Sequence, residues 1–98
     1  MNILEIDEVQ IIPLHKPQNG LVAFASCIIN GQFYVGNIAI YTSPTSIEGH
    51  RLVFPNKKLA SGQTVDCVHP VTQEAGRMVS EAIIEKYVDL MDSFNHVS

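Results

Sequence analysis

The residues that could bind a metal or act as nucleophiles are two cysteines and four histidines, and one pair lies close in sequence: Cys67 and His69. On an extended strand the two side chains would share a face, a geometry that can seat two zinc ligands. A structural zinc site needs four, and the remaining candidates, His15, His50, His96 and Cys27, show no paired spacing. A cysteine nucleophile needs a neighbouring base in an electropositive setting, and no oxyanion-loop motif accompanies this pair. Asp66 beside it serves equally well as a loop anchor. The expectation is therefore no metal, no cofactor and no enzyme, with Cys67 a small buried residue and His69 a hydrogen-bonding group near a helix start.

Phosphate recognition is the other chemistry that the residue types offer. In FPNKKLASGQT (residues 54–64), Lys57 and Lys58 follow Arg51 in a stretch from Gly49 to Val65 that has no acidic residue. Three cations together can displace counterions from a phosphate backbone and give weak, salt-sensitive binding. Asn56, Gln63 and Arg51 add polar contacts, whereas no aromatic residue sits in the loop to stack a base. The bland alternative is a solvated loop whose lysines keep a sheet edge soluble. Six Lys/Arg against ten Asp/Glu give a net charge of −4, which opposes a broad basic face but leaves room for a small patch.

The elements that must position these residues follow from pattern. Ninety-eight residues make one domain, read here as residues 1–98, with an ordinary 46% of hydrophobic residues. MNILEIDEVQ has three acids and no base, unlike the positive start of a secretory signal. LVAFASCII (21–29) is far short of a membrane span. The expectation is a soluble cytoplasmic protein with free thiols. Strands are predicted over 3–14, 21–29, 32–41, 50–54 and 64–69. HKPQNG (15–20) and TSPTSIEG (42–49) read as turn and loop, and Asn56–Gln63 as a further loop with Ser61-Gly62 at its turn. Asn30-Gly31 is the preferred dipeptide of a tight hairpin turn. Gly36 inside the returning strand points to a bulge or a close backbone approach. In the strand at 64–69, Val65, Cys67 and His69 share one face.

From Gln73 to about Phe94 the spacing is helical, with Thr72 as N-cap and Glu74 in the first turn. Ala75, Met78, Val79, Ala82, Ile83, Tyr87, Leu90 and Phe94 line one face. Glu74, Glu81, Glu85 and Asp92 form an acidic stripe that repels phosphate, with Arg77 able to pair with Glu81. Ile84, Val88 and Met91 form a second apolar edge, read as a self-association surface. The fold class is α+β: an antiparallel sheet of about five strands, a meander with hairpins, covered by a long C-terminal amphipathic helix.

Three stretches in register resemble the bacterial SpoVG family of sporulation and septation proteins. AFASCIINGQFYVGNIAIY looks like its alternating hairpin. LVFPNKK is similar to its Phe-Val-x-Met-Pro-Ser-Lys segment, and DCVHPVTQEAGRMVSEAIIEKY to its Asp-Ile-x-His-Pro lead into a helix ending near a Tyr. The resemblance spans about Ala23 to Leu90. It implies a small homodimer that binds DNA and RNA, regulates gene expression and is linked to sporulation and septum formation, with no enzymatic activity. The chain departs from the family pattern at Ala39, where Arg is frequent, and at Gly76 and Met78 in place of early-helix basic residues. Asn56 replaces the family's Ser, and Arg77 is the nearest substitute for the lost charge.

Two functions are compatible with these features. One is a nucleic-acid-binding regulator, a homodimer that contacts phosphates through Arg51, Asn56, Lys57, Lys58 and Arg77 and associates through Ile84, Val88 and Met91. The other is a protein-interaction module that keeps this fold without nucleic-acid binding and docks a partner on its acidic helix.

Overall fold

The computed structural model describes residues 4–46 and 49–95. Ile3, at the start of the expected first strand, Ile47 and Glu48 in the expected loop, and His96 lie outside the described residues. Four antiparallel strands form the main sheet in the order β1 (Ile6–Gln18), β2 (Leu21–Ile29), β3 (Phe33–Thr42) and β4 (His50–Val53). A separate two-stranded ladder follows, β5 (Asn56–Lys58) with β6 (Thr64–Asp66), and then one helix, α1 (Gln73–Asn95). This is the expected α+β arrangement, with the short strands divided off from the sheet.

Two Asn-Gly dipeptides fix the meander. Asn30 and Gly31 have φ of 53° and 66°, and the Gln32 N–H donates to the Ile29 carbonyl at 3.0 Å, which is the hairpin turn expected there. Asn30 also ties the chain start: its N–H donates to the Glu5 carbonyl, and its Oδ1 accepts from the Glu5 N–H, both at 2.8 Å. The first strand runs past its expected end at Leu14, through His15, Lys16 and Pro17 to Gln18, and turns at Asn19-Gly20 alone. Because β1 is an edge strand, an outward-facing position needs no ladder N–H, so Pro13 and Pro17 are tolerated.

Gly36 marks both a bulge and a close approach. Ala25 pairs with Ile38 but Cys27 with Val35, leaving one extra residue on β3 opposite Ser26. A Cβ on Gly36 would come within 2.7 Å of the Tyr34 hydroxyl. The Tyr34 ring thus lies over the Gly36 backbone, where a side chain would displace it.

The helix is capped as its sequence predicts, with the Ala75 N–H donating to Thr72 Oγ1 at 3.0 Å. Its buried face presents Val79, Ile83 and Tyr87 to Ala23, Ala25, Cys27, Ile38 and Ile40 of the sheet. The face is turned from the expected stripe towards its second edge. Ile84 is only 4% exposed, and Val88 and Met91 are half-buried against the core. Met78, Ala82 and Leu90 are half-buried, while Phe94 is exposed. The fold of the monomer thus already uses most of the edge expected for self-association.

Two expectations around the hairpin need correction. Lys57 and Lys58 sit on a strand rather than in a loop. The strand expected over 64–69 stops at Asp66, and Val65, Cys67 and His69 are all exposed. The ladder closes with the Cys67 N–H on the Pro55 carbonyl at 3.0 Å. Pro55 has no N–H to return, so pairing goes no further. Cys67 is accordingly an exposed thiol, not a buried one, while Cys27 is the buried cysteine. Burial pushes the Cys27 thiol pKa up and further suppresses its thiolate.

Ile83→Ala, at a fully buried position, is expected to cost about 2–5 kcal/mol in urea unfolding, and Thr72→Ala about 1 kcal/mol. A chromogenic thiol reagent should titrate one cysteine in the native protein, Cys67, and both only after denaturation.

Candidate nucleic-acid interface

The β5–β6 hairpin carries the basic pair. Asn56 pairs with Asp66, Lys57 with Val65 and Lys58 with Thr64, and all six residues are exposed. The tip is closed by the Leu59 N–H on the Gln63 carbonyl at 2.7 Å and the Gly62 N–H on the Leu59 carbonyl at 2.9 Å. Successive strand residues face opposite sides, so Lys57 shares one side with Val65 while Asn56, Lys58, Thr64 and Asp66 share the other. The lysines straddle a ribbon instead of forming one patch.

Arg51 does not join them. It lies on β4 opposite Tyr41, with its guanidinium 5.0 Å from the Tyr41 ring centroid. Five residues lie between it and Lys57, and β4 and β5 belong to different sheets. The fold instead brings Arg51 together with Arg77, across a cleft of about 800 Å³ between β4 and α1. Glu81 and Glu85 line the same cleft, and Arg77 is paired with Glu81 at 3.3 Å. Two cations thus face two carboxylates, and the cleft is not a basic site. His50, also on its wall, packs its ring edge-on against Tyr87 at 5.0 Å.

The positions where basic residues are frequent in the resembled family are occupied here by residues that pack. Ala39 is buried between its register partners Phe24 and Val53. At Gly76 a Cβ would stand 3.6 Å from Pro70, and Met78 is half-buried. Glu74, Glu81, Glu85 and Asp92 are all exposed, as their stripe predicts.

Near the hairpin, His69 Nδ1 lies 3.0 Å from the Pro70 carbonyl, and Nε2 faces an Asp66 carboxylate oxygen at 3.8 Å. Both side chains are more than half exposed, so the contact is weak. Among the described residues no group of three His, Cys, Asp or Glu side chains could hold a metal ion. His96 lies outside them.

Sequence reasoning missed two aromatic residues. Phe33 and Tyr34 are 69% and 71% exposed, although they follow the hairpin turn as ordinary strand residues. With Gly36, Pro55 and Val68 they border a cleft of about 360 Å³ at the foot of the β5–β6 hairpin. It forms because β4 pairs only with residues 39–42 of β3, leaving the earlier part of that edge open. Two adjacent aromatics next to a bulge glycine were the one available signal.

Among the described residues no helix is long and apolar enough to cross a membrane. A profile of the SpoVG family matches residues 4–89. Three similar proteins bear the septation-protein name SpoVG. The one from Onion yellows phytoplasma is 29% identical over 93 residues, covering 92% of this chain and 87% of its own length. That from Aster yellows witches'-broom phytoplasma is 32% identical over 79 residues, with 78% and 74% covered. That from Caldicellulosiruptor bescii is 31% identical over 87 residues, with 86% and 91% covered. The match over nearly the whole described fold, from before the first strand to the late turns of the helix, places this chain in the SpoVG family of septation proteins.

Proposed function

We propose that the protein is a nucleic-acid-binding regulator of sporulation and septation, acting as a homodimer that contacts DNA or RNA phosphates through the β5–β6 hairpin. One observation carries this reading. Lys57 and Lys58 are exposed on a ribbon held apart from the main sheet, and no acidic residue lies between Gly49 and Val65. The ribbon offers a cation on each side, so it can lie along a backbone with phosphates on both flanks. The acidic helix stripe keeps phosphate off the rest of the body. Binding is electrostatic positioning with little base-edge readout, and Arg51 and Arg77 contribute less because their cleft also holds Glu81 and Glu85. Self-association uses the exposed parts of Val88 and Met91, with Ile84 beneath them.

A second reading, a protein-interaction module, is favoured by the exposed stripe Glu74, Glu81, Glu85 and Asp92. Its partner would present a basic face.

Lys57→Ala with Lys58→Ala should weaken low-salt binding to all labelled DNA and RNA sequences alike. The slope of log K against log salt should fall by about 1.5–2 for the two lost contacts. Unchanged affinity and slope would remove the hairpin from the interface, and a parent protein that binds neither nucleic acid in low salt would leave the second reading. Light scattering at micromolar concentration should give twice the 10.8 kDa chain mass. A monomeric mass would remove the dimer.

A further inference from the structure

We infer that the cleft at the foot of the hairpin is a base-stacking pocket, and that the ligand of the lysine ribbon is therefore a single-stranded nucleic acid. This rests on the nucleic-acid reading above and adds the class of strand and the residues that select it.

Phe33 and Tyr34 expose more than two-thirds of their surface and both border the cleft, from opposite sides of β3, with Tyr34 on the side of Gly36. Large exposed aromatics on a small domain signal a ligand or a partner more often than they signal packing. Gly36 makes room for Tyr34: the hydroxyl end of the ring lies over its backbone, where any side chain would displace it. An exposed aromatic ring is a platform on which any base can stack, whatever its sequence. The cleft beside it, about 360 Å³, is at the lower end of the range for small-ligand sites, and its side chains are apolar apart from the Tyr34 hydroxyl. Duplex DNA keeps its bases stacked inside the helix and has no free face to offer such a pocket.

Charge identifies the occupant. Pro55 lines the cleft, and the chain passes from it directly into Asn56 and Lys57, with Lys57 about 7 Å further along the extended strand. A base in the cleft would thus leave its phosphates beside the lysines. Asp66 sits across the ladder from Asn56 and has His69 at 3.8 Å. An apolar protein partner would gain nothing from two lysines at the pocket's edge, whereas a single strand uses both features at once.

The test compares a fluorescein-labelled single strand of about 12 nucleotides with the matching duplex, by anisotropy in low salt. The parent should bind the single strand more tightly. Phe33→Ala with Tyr34→Ala should lose at least about tenfold in single-strand affinity, with the salt slope and duplex affinity unchanged. Tyr34→Phe should bind as the parent does, since stacking needs the ring and not the hydroxyl. Because both side chains are exposed, thermal unfolding of the alanine variant serves as the control for folding. Single-strand affinity of the alanine variant within about twofold of the parent would overturn the pocket, as would a parent preference for duplex. A drop from dimer to monomer in the alanine variant would overturn it too, assigning the surface to a second copy of the chain. A parent that binds neither strand nor duplex is a different result, because it overturns the nucleic-acid reading itself.

Discussion

The fold depends on the packing of one helix across the sheet, with its closest backbone approaches at the outer strands β1 and β4 and its apolar face over the middle. Ala23, Ala25 and Cys27 present a shallow surface on the inner face of the central hairpin, and Val79, Ile83 and Tyr87 fill it. Fully burying side chains such as Ile38, Ile40 and Ile83 contributes about 1.5–3 kcal/mol each relative to leaving them exposed. A single helix has a limited footprint, so the rest of the molecule is shaped by what it does not cover. Tyr87 reaches His50 at the edge of β4, and the first half of β3 extends beyond the residues that β4 pairs with. The open edge and the hairpin that leaves at Pro55 are products of that limit.

Electrostatics then divides the surface. The helix carries a solvated acidic stripe, and in the cleft between it and β4 Arg77 pairs with Glu81 while Glu85 lines the same space. Two of the six Lys/Arg occupy adjacent positions on a three-residue strand, β5. In a protein of net charge −4, such a ribbon is where a polyanion meets the least repulsion. In the proposed complex the neighbouring aromatics would add a contact that does not weaken with salt, so that affinity would be shared between a salt-sensitive and a salt-insensitive part. The chain belongs to the SpoVG family, whose similar members carry the septation-protein name. That membership leaves the ligand to be argued from these surfaces.

Much of the architecture was legible because local signals agreed with tertiary demands. The Asn30-Gly31 turn, the Thr72 cap, the Gly36 bulge and the core positions Val79, Ile83 and Tyr87 each follow from a single-residue preference that nothing overrides. The errors arose where tertiary context decides. Pro17 looked like a turn residue until β1 proved to be an edge strand. The strand ending at Asp66 was overextended because its partner begins after a proline, a fact about pairing that alternation does not encode. Ile84 read as surplus because helical spacing gives the angular width of an apolar face but not which side turns to the sheet. At the site, the lysines were visible as charge, but their placement on opposite sides of a ribbon was not. The distance of Arg51 from them and the proximity of Phe33 and Tyr34 depend on β4 being only four residues long.

The most direct measurement is a photo-crosslinking map of the parent protein with a single strand carrying halogenated pyrimidines, read out by peptide mass spectrometry. The account predicts crosslinks at Phe33 or Tyr34 and on the segment from Pro55 to His69, with the acidic face of α1 unlabelled. Crosslinks confined to α1, or to the cleft around Arg51 and Arg77, would contradict it.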